Sequence, residues 1–195
     1  MKYKILTVLL AACGILSSCC QEQASGPLKV IFETDMGNDI DDALALDMLY
    51  KYMDAGQVDL LAVGVNKIGF GPVEFVDMMN TWYGYPYIPI GKITDGIDFN
   101  YPESNYAAKV AAMKNDMGGK LFQTSPFMDY SALPETPELY RQVLSRQPDN
   151  SVTMISVGFS TNLVRLLESG PDRWSDLTGR ELIEKKVKLL YNSRV

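Results

Sequence analysis

A chain of 195 residues with 47% apolar, 10% aromatic and 22% charged side chains has the composition of one folded globular domain. Its formal charge of −6, with no Lys/Arg run, excludes the basic footprint that nucleic acid binding needs. There is no histidine, and Cys13, Cys19 and Cys20 all lie in the first twenty residues. The folded part therefore has no internal disulfide, Cys/His zinc site, Ser-His-Asp triad or Cys-His pair. Its chemistry must come from carboxylates, amides, hydroxyls or a hard metal ion.

The leader comes first in chain order. Lys2 and Lys4 precede an apolar run over residues 5–16, followed by Ser17, Ser18, Cys19 and Cys20. A charged start, a short apolar stretch and small residues make an export signal. The run is too short for a span of about 20 apolar residues. Leu16-Ser17-Ser18-Cys19 resembles a bacterial lipobox, whose Cys is acylated and becomes the mature N-terminus; Leu10-Ala11-Ala12-Cys13 fits with a shorter apolar run. The expected organisation is a lipoprotein-type signal over 1–19 with acylation at Cys19, a tether over 20–27 and a domain over 28–195. The protein is then exported and held by lipid at a bacterial membrane, with a monomer and a homo-oligomer both left open.

Residues 29–35 (KVIFETD) read as a buried strand, and 41–55 place Ala43, Leu44, Leu46, Met48, Leu49 and Tyr52 at helical spacing. Residues 58–66 (VDLLAVGVN) are a second strand. Pro72 opens a helix over 73–83, and 88–93 are a short third strand. Residues 94–104, rich in Gly, Asp, Asn and Pro, read as a loop. A helix is predicted over 106–117, and another to 147 with Thr136 as N-cap and Pro137 at its first position. Residues 151–158 are a fourth strand, 161–169 a helix, 176–178 the approach to a last helix, and 187–191 a fifth strand. This alternation predicts a doubly wound α/β fold, a mostly parallel sheet with helices on both faces. Ligands in such sheets sit beyond the carboxyl ends of the strands.

The most informative stretch is Glu33-Thr34-Asp35-Met36-Gly37-Asn38-Asp39-Ile40-Asp41-Asp42, where four aspartates fall within eight residues between a strand and a helix. Mutual repulsion makes such clustering costly unless a cation neutralises it. A flexible, carboxylate-rich loop suits Ca²⁺ better than Mg²⁺. The helix dipole alone accounts for one or two acids at the helix start, but not for Asp35 on the strand side. An EF-hand loop starting at Asp35 would need Gly and Glu where Ile40 and Leu46 stand. A phosphate-binding P-loop would need Gly-Lys-Ser/Thr, which is absent.

A strand ending near Asp35, a Gly-containing turn and Asp41-Asp42-Ala43-Leu44-Ala45-Leu46 resemble the motif of the inosine-uridine-preferring nucleoside hydrolases. Glu33 replaces the usual first Asp of that motif, and the turn is longer than in its shortest form. Residues 60–66 (LLAVGVN), Asn80-Thr81-Trp82-Tyr83-Gly84, Pro89-Ile90-Gly91 and 152–162 (VTMISVGFSTN) agree in order and spacing, so the resemblance covers about residues 28–191. It implies Ca²⁺-dependent hydrolysis of the N-glycosidic bond of ribonucleosides. Asp35 would ligate the metal and take the proton of the attacking water. Asp42 would be a bidentate metal ligand, and Val157 would offer its backbone carbonyl. Asp41 would bind a ribose hydroxyl, with Asp39 as its competitor. Asn66 could face the ribose or, as a strand-end amide, cap its own loop.

The resemblance also implies a further C-terminal part that supplies another Asp ligand and ribose-binding groups. Against that pattern the chain reads as interrupted at Val195, and the expectation is little or no hydrolase activity for this polypeptide, as a remnant or a metal- or sugar-binding lipoprotein. The segment 187–191 is expected to be an exposed edge strand. Asn80 reads as a satisfied helix amide. Trp82, Tyr83, Tyr85 and Tyr87 read as core and rim packing, Met78, Met79 and Trp82 as core, and Glu184-Lys185-Lys186 as a solvated helix face.

Overall fold

The computed structural model describes residues 26–96 and 105–193. The leader with its three cysteines, most of the expected tether, residues 97–104 of the Gly/Asp-rich loop, Arg194 and Val195 lie outside the described residues. Among the described residues no helix is long and apolar enough to cross a membrane.

Five parallel strands, β1 (Leu28–Thr34), β2 (Val58–Val65), β3 (Ile90–Gly91), β4 (Val152–Ser156) and β5 (Val187–Asn192), form one sheet in the order β3-β2-β1-β4-β5. The chain runs outward from β1 through β2 to β3, then crosses back to the other side of β1 for β4 and β5. The order reverses between β1 and β4, the point where open α/β sheets bind ligands beyond the strand ends.

Burial explains why β1 is central. Val30, Ile31 and Phe32 are each fully buried, as expected for a strand covered on both faces. Val30 and Phe32 join α1 (Asp41–Asp54), α2 (Phe70–Trp82) and α3 (Tyr106–Ala111) in one core cluster. Ile31 faces the other way, onto α4 (Thr136–Ser145), α5 (Thr161–Glu168) and α6 (Gly179–Lys186) through Tyr140, Leu144, Leu163, Leu166 and Leu182. Each such buried side chain contributes roughly 1.5–3 kcal/mol. The two clusters are the two faces of a doubly wound sheet. Strand β2 carries one extra residue: Val30 pairs with Leu60 and Ile31 with Ala62, so Leu61 bulges. The bulge lets Leu60, Val63 and Val65 share the first cluster although their spacing breaks alternation.

Four boundaries differ from the sequence reading. The third strand shrinks to Ile90–Gly91, because after Gly91 the backbone bonds run to the 134–136 segment: Lys92 N–H to the Pro134 carbonyl at 3.0 Å and Thr136 N–H to the Lys92 carbonyl at 2.8 Å. Helix α2 begins at Phe70 with Pro72 inside its first turn, where a missing N–H costs little. Helix α3 ends at Ala111 rather than continuing to Met117. Asn115 stops any continuation by accepting the N–H groups of Met117 and Gly119 on its side-chain oxygen, both at 3.0 Å. Thr136 is the first helical residue of α4 and Glu135 its N-cap; the Thr136 hydroxyl donates to the Lys92 and Val65 carbonyls at 3.1 and 3.3 Å instead of capping. By contrast α6 starts as its sequence suggests, with Thr178 and Glu181 forming a reciprocal capping box.

Trp82 is not core: it is 72% exposed and touches Phe122 edge-on, whereas Met78 and Met79 are buried. Tyr83 and Tyr85 stack on buried Tyr50 at 4.4 and 6.1 Å, and Tyr87 stacks on Phe127 at the surface. Glu184 and Lys185 are solvated, but half-buried Lys186 donates to the Gln147 carbonyl and to Asp149 at 2.8 and 2.7 Å. At the sheet edge, Leu189, Leu190 and Tyr191 of β5 are exposed.

Candidate functional site

Because all strands are parallel, the turns after β1, β2 and β4 meet at one end of the sheet. The turn after β1 carries the aspartates, and the structure divides them. Asp35 and Asp42 are 1% and 3% exposed, while Asp39 and Asp41 are exposed to solvent. Gly37 makes the division possible: its φ of 113° reverses the backbone where side chains are disfavoured, and its surroundings (Ala107, Asn105 and Lys67) are close. Helix α1 then starts without a side-chain cap at Ile40, and its first turn delivers Asp42 back toward β1.

The buried carboxylates meet. Thr34 Oγ1 donates to Asp42 Oδ1 at 2.5 Å, and Asp42 is hydrogen-bonded to Asp35. Burial, followed by the negative charges of Asp35 and Asp41, pushes the Asp42 carboxyl up to about 7 against the pull of the Thr34 hydroxyl. Glu33, one strand position behind the site, is pushed up to about 8, mainly by burial and further by Asp35, against hydrogen bonds from Tyr140 and Asn66. Tyr106 of α3, whose hydroxyl contacts Met36 Sδ at 3.1 Å, is raised by burial and by the negative charge of Asp42.

The turn after β2 adds an amide and a cation. Asn66 is fully buried, and its Nδ2 donates to Glu33 Oε1 at 2.6 Å and to the Phe159 carbonyl. Its Oδ1 is buried without a hydrogen-bond partner among the described residues. Lys67 is 1% exposed; its Nζ donates to Asn38 Oδ1 at 2.7 Å, and Asn38 Nδ2 reaches Asp35 Oδ2 at 3.3 Å. The turn after β4 closes the third side. Val157 N–H donates to the Glu33 carbonyl at 3.0 Å, and Gly158 lies directly against the Asp35 backbone. Asn162, at the start of α5, donates to the Val65 carbonyl at 3.2 Å. Its Oδ1, like Ser156 Oγ on β4, is buried without a partner among the described residues.

Of the residues singled out from sequence, Asp35, Asp42, Asn66 and Val157 thus lie together at the carboxyl ends of β1, β2 and β4, at the switch point, while Asp41 is exposed to solvent. Asn80 is a satisfied core amide, accepting from the Tyr50 hydroxyl at 2.6 Å. Lys67, Asn38 and Tyr140 were not singled out. Tyr140 at helical spacing with Leu139 and Leu144 reads only as core.

The chemistry of the pair fits a cation, because two carboxylates this close and this buried cannot both ionise without positive charge. The set is sparse, however: among the described residues no three Asp or Glu side chains converge in metal-ligating geometry.

No protein-family model and no curated protein matches the chain. Among solved structures it is similar to a plant nucleoside hydrolase, with a TM-score of 0.55 and 19% identity over 84% of this chain and 46% of that one. It is also similar to the type III effector protein XopQ, solved in complex with adenosine diphosphate ribose, with a TM-score of 0.59 and 16% identity over 85% of this chain and 42% of that one. The chain spans less than half the length of either structure. At these identities the likeness establishes architecture and leaves chemistry to the site. The chain has a nucleoside hydrolase-like α/β fold.

Proposed function

We propose that the turns at the carboxyl ends of β1, β2 and β4 form a ribonucleoside site of the inosine-uridine-preferring type, built around Ca²⁺ and hydrolysing the N-glycosidic bond to ribose and free base. The observation that carries this reading is the Asp35–Asp42 pair, buried and hydrogen-bonded at the switch point of the sheet. Asp35, Asp42 and the Val157 carbonyl would hold the metal. Bound there, it supplies the positive charge that lets both carboxylates ionise and polarises a neighbouring water. Ionised Asp35 then accepts that water's proton as its oxygen bonds to the anomeric carbon. The C1′–N bond breaks, its electron pair leaves with the base, and positive charge spreads over the ribosyl ring. Asp41 at the rim and Asn66 in the interior are the proposed sugar contacts.

Ribose release from inosine and uridine tests the reading. EDTA-sensitive release that is lost in Asp35→Asn supports it; release unaffected by either change refutes it. One observation favours a second reading, a non-catalytic metal- or sugar-binding protein. Two convergent carboxylates and one carbonyl are fewer than the roughly 6–8 oxygens that calcium takes. Nucleoside binding without turnover would select it. For location, the proposal is an exported lipoprotein with signal 1–19 acylated at Cys19, tether 20–27 and domain 28–195. It rests on Lys2, Lys4, the apolar run and Leu16-Ser17-Ser18-Cys19. Mass spectrometry of the mature N-terminus decides it.

A further inference from the structure

A fully buried tyrosine, a buried acid and a buried amide form a hydrogen-bonded line behind the Asp35–Asp42 pair. Tyr140 OH on α4 donates to Glu33 Oε2 at 3.0 Å, and Asn66 Nδ2 donates to Glu33 Oε1 at 2.6 Å. All three side chains are at most 1% exposed. Packing alone does not call for this arrangement, since a phenylalanine would fill the apolar face of α4 between Leu139 and Leu144 equally well. Space has been cleared for the hydroxyl: a Cβ on Gly64 of β2 would lie 1.9 Å from Tyr140 OH. Helix α4 is itself held in place. Arg141, the next residue and 2% exposed, donates to Ser169 Oγ, Asp172 Oδ1 and the Ser175 and Leu177 carbonyls at 2.8–3.1 Å.

The orientation of Asn66 follows from its neighbours. Its Nδ2 faces two oxygen acceptors, Glu33 Oε1 and the Phe159 carbonyl. A flipped amide would set oxygen against oxygen, so the nitrogen is fixed and the carbonyl oxygen must point the other way. That oxygen is buried without a partner among the described residues. Buried acceptors are rarely left so, and a donor from outside the chain is the natural complement.

We propose that Tyr140 and Glu33 are positioning residues: the Tyr140 hydroxyl fixes Glu33, Glu33 fixes the Asn66 amide nitrogen, and Asn66 Oδ1 is thereby presented to a hydroxyl of the ligand's sugar. The inference rests on the ribosyl reading of the site and adds a selection rule. A fixed acceptor favours a hydroxyl donor and disfavours a phosphate or carboxylate at the same point.

Tyr140→Phe removes the hydroxyl and keeps the ring. Glu33→Gln keeps both links, since its amide oxygen accepts from Asn66 and its amide nitrogen donates to the Tyr140 oxygen. Two readouts on the full chain separate positioning from mere packing: hydrogen exchange of the Asn66 side-chain amide by NMR, and the Kd for inosine in calcium. In Tyr140→Phe the Asn66 amide protons exchange roughly 2- to 10-fold faster and inosine binds weaker by a similar factor, the range of one lost hydrogen bond. Glu33→Gln stays within about 2-fold of wild type in both. Calcium affinity in Tyr140→Phe stays that of wild type, because the lost hydroxyl bonds Glu33 and neither Asp35 nor Asp42. Unchanged exchange and Kd in Tyr140→Phe, or a Glu33→Gln protein as impaired as Tyr140→Phe, overturn the inference. Wild type with no affinity for inosine overturns the ribosyl reading, and the exchange rates then decide the positioning role on their own.

Discussion

Gly158 joins the fold to the site through a single close approach, and replacing it with alanine tests that join. A Cβ at this position would lie 2.4 Å from the Asp35 backbone nitrogen, 2.8 Å from the Thr34 carbonyl carbon and 3.1 Å from Asp35 Cβ. Two of these neighbours are backbone atoms at the exit of the central strand, so no side chain can rotate away. Either the turn after β4 or the start of the aspartate loop must move. Overpacking of this kind costs about 1–3 kcal/mol, and the backbone contacts place it at the upper end. For a domain of this size about 3 kcal/mol lowers Tm by roughly 6–12 °C. The displacement also shifts Asp35 against the turn that carries Val157, so on the proposed metal reading calcium affinity falls about 10-fold or more, equivalent to ~1.4 kcal/mol. Thermal melts in EDTA, paired with calcium calorimetry, measure both effects. Gly170→Ala is the control, since nothing lies within 4 Å of its added Cβ. A Gly158→Ala protein that melts within about 2 °C of wild type and binds calcium equally well would refute the reasoning.

Lys67→Met removes the buried ammonium that holds Asn38. The expected loss is about 1–3 kcal/mol in EDTA, and it shrinks in calcium because an added cation replaces the missing charge. Equal loss in both conditions would show that Lys67 serves packing alone. The raised carboxyls set a pH dependence for the metal-free protein. In the unfolded chain Glu33 and Asp42 lose their protons near pH ~4, whereas in the fold they keep them until about 8 and about 7. Between these limits the folded state binds more protons, so this contribution to stability is greatest at low pH and falls as pH rises. Melts in EDTA from pH 4 to 9 should therefore show a wild-type decline relative to a Glu33→Gln/Asp42→Asn protein, and parallel curves would contradict it. Calcium requires the ionised carboxylates, so its binding near pH 6–7 should release protons, seen as heats that vary with the buffer's ionisation enthalpy.

The strands β1, β2 and β4 and their mostly parallel arrangement were legible, because largely apolar runs alternate with helical spacing, whereas their order in the sheet came only from the structure. The aspartate loop was equally plain, as no apolar pattern competes with four acids in a short turn. Which acids go inside was not legible. That choice depends on the reversal at Gly37 and on where α1 begins, and periodicity carries neither. The helix predicted through Met117 failed for a related reason: the Asn115 side chain closes a turn that helical spacing ignores. Lys67 and Tyr140 were missed because their roles come from long-range partners, Asn38 on the loop after β1 and Glu33 on β1 itself. Trp82 fits the helical spacing of buried residues, yet the chain around it leaves it in solvent.

The central claim is that Asp35 and Asp42 form a cation site at the switch point of the sheet. Calcium titration by calorimetry at pH 7.5, with Asp42→Asn alongside, tests it most directly. The expected result is one saturable site with a Kd tighter than about 1 mM, lost in the variant. No saturable heat below that concentration, or a site that Asp42→Asn leaves untouched, would contradict it.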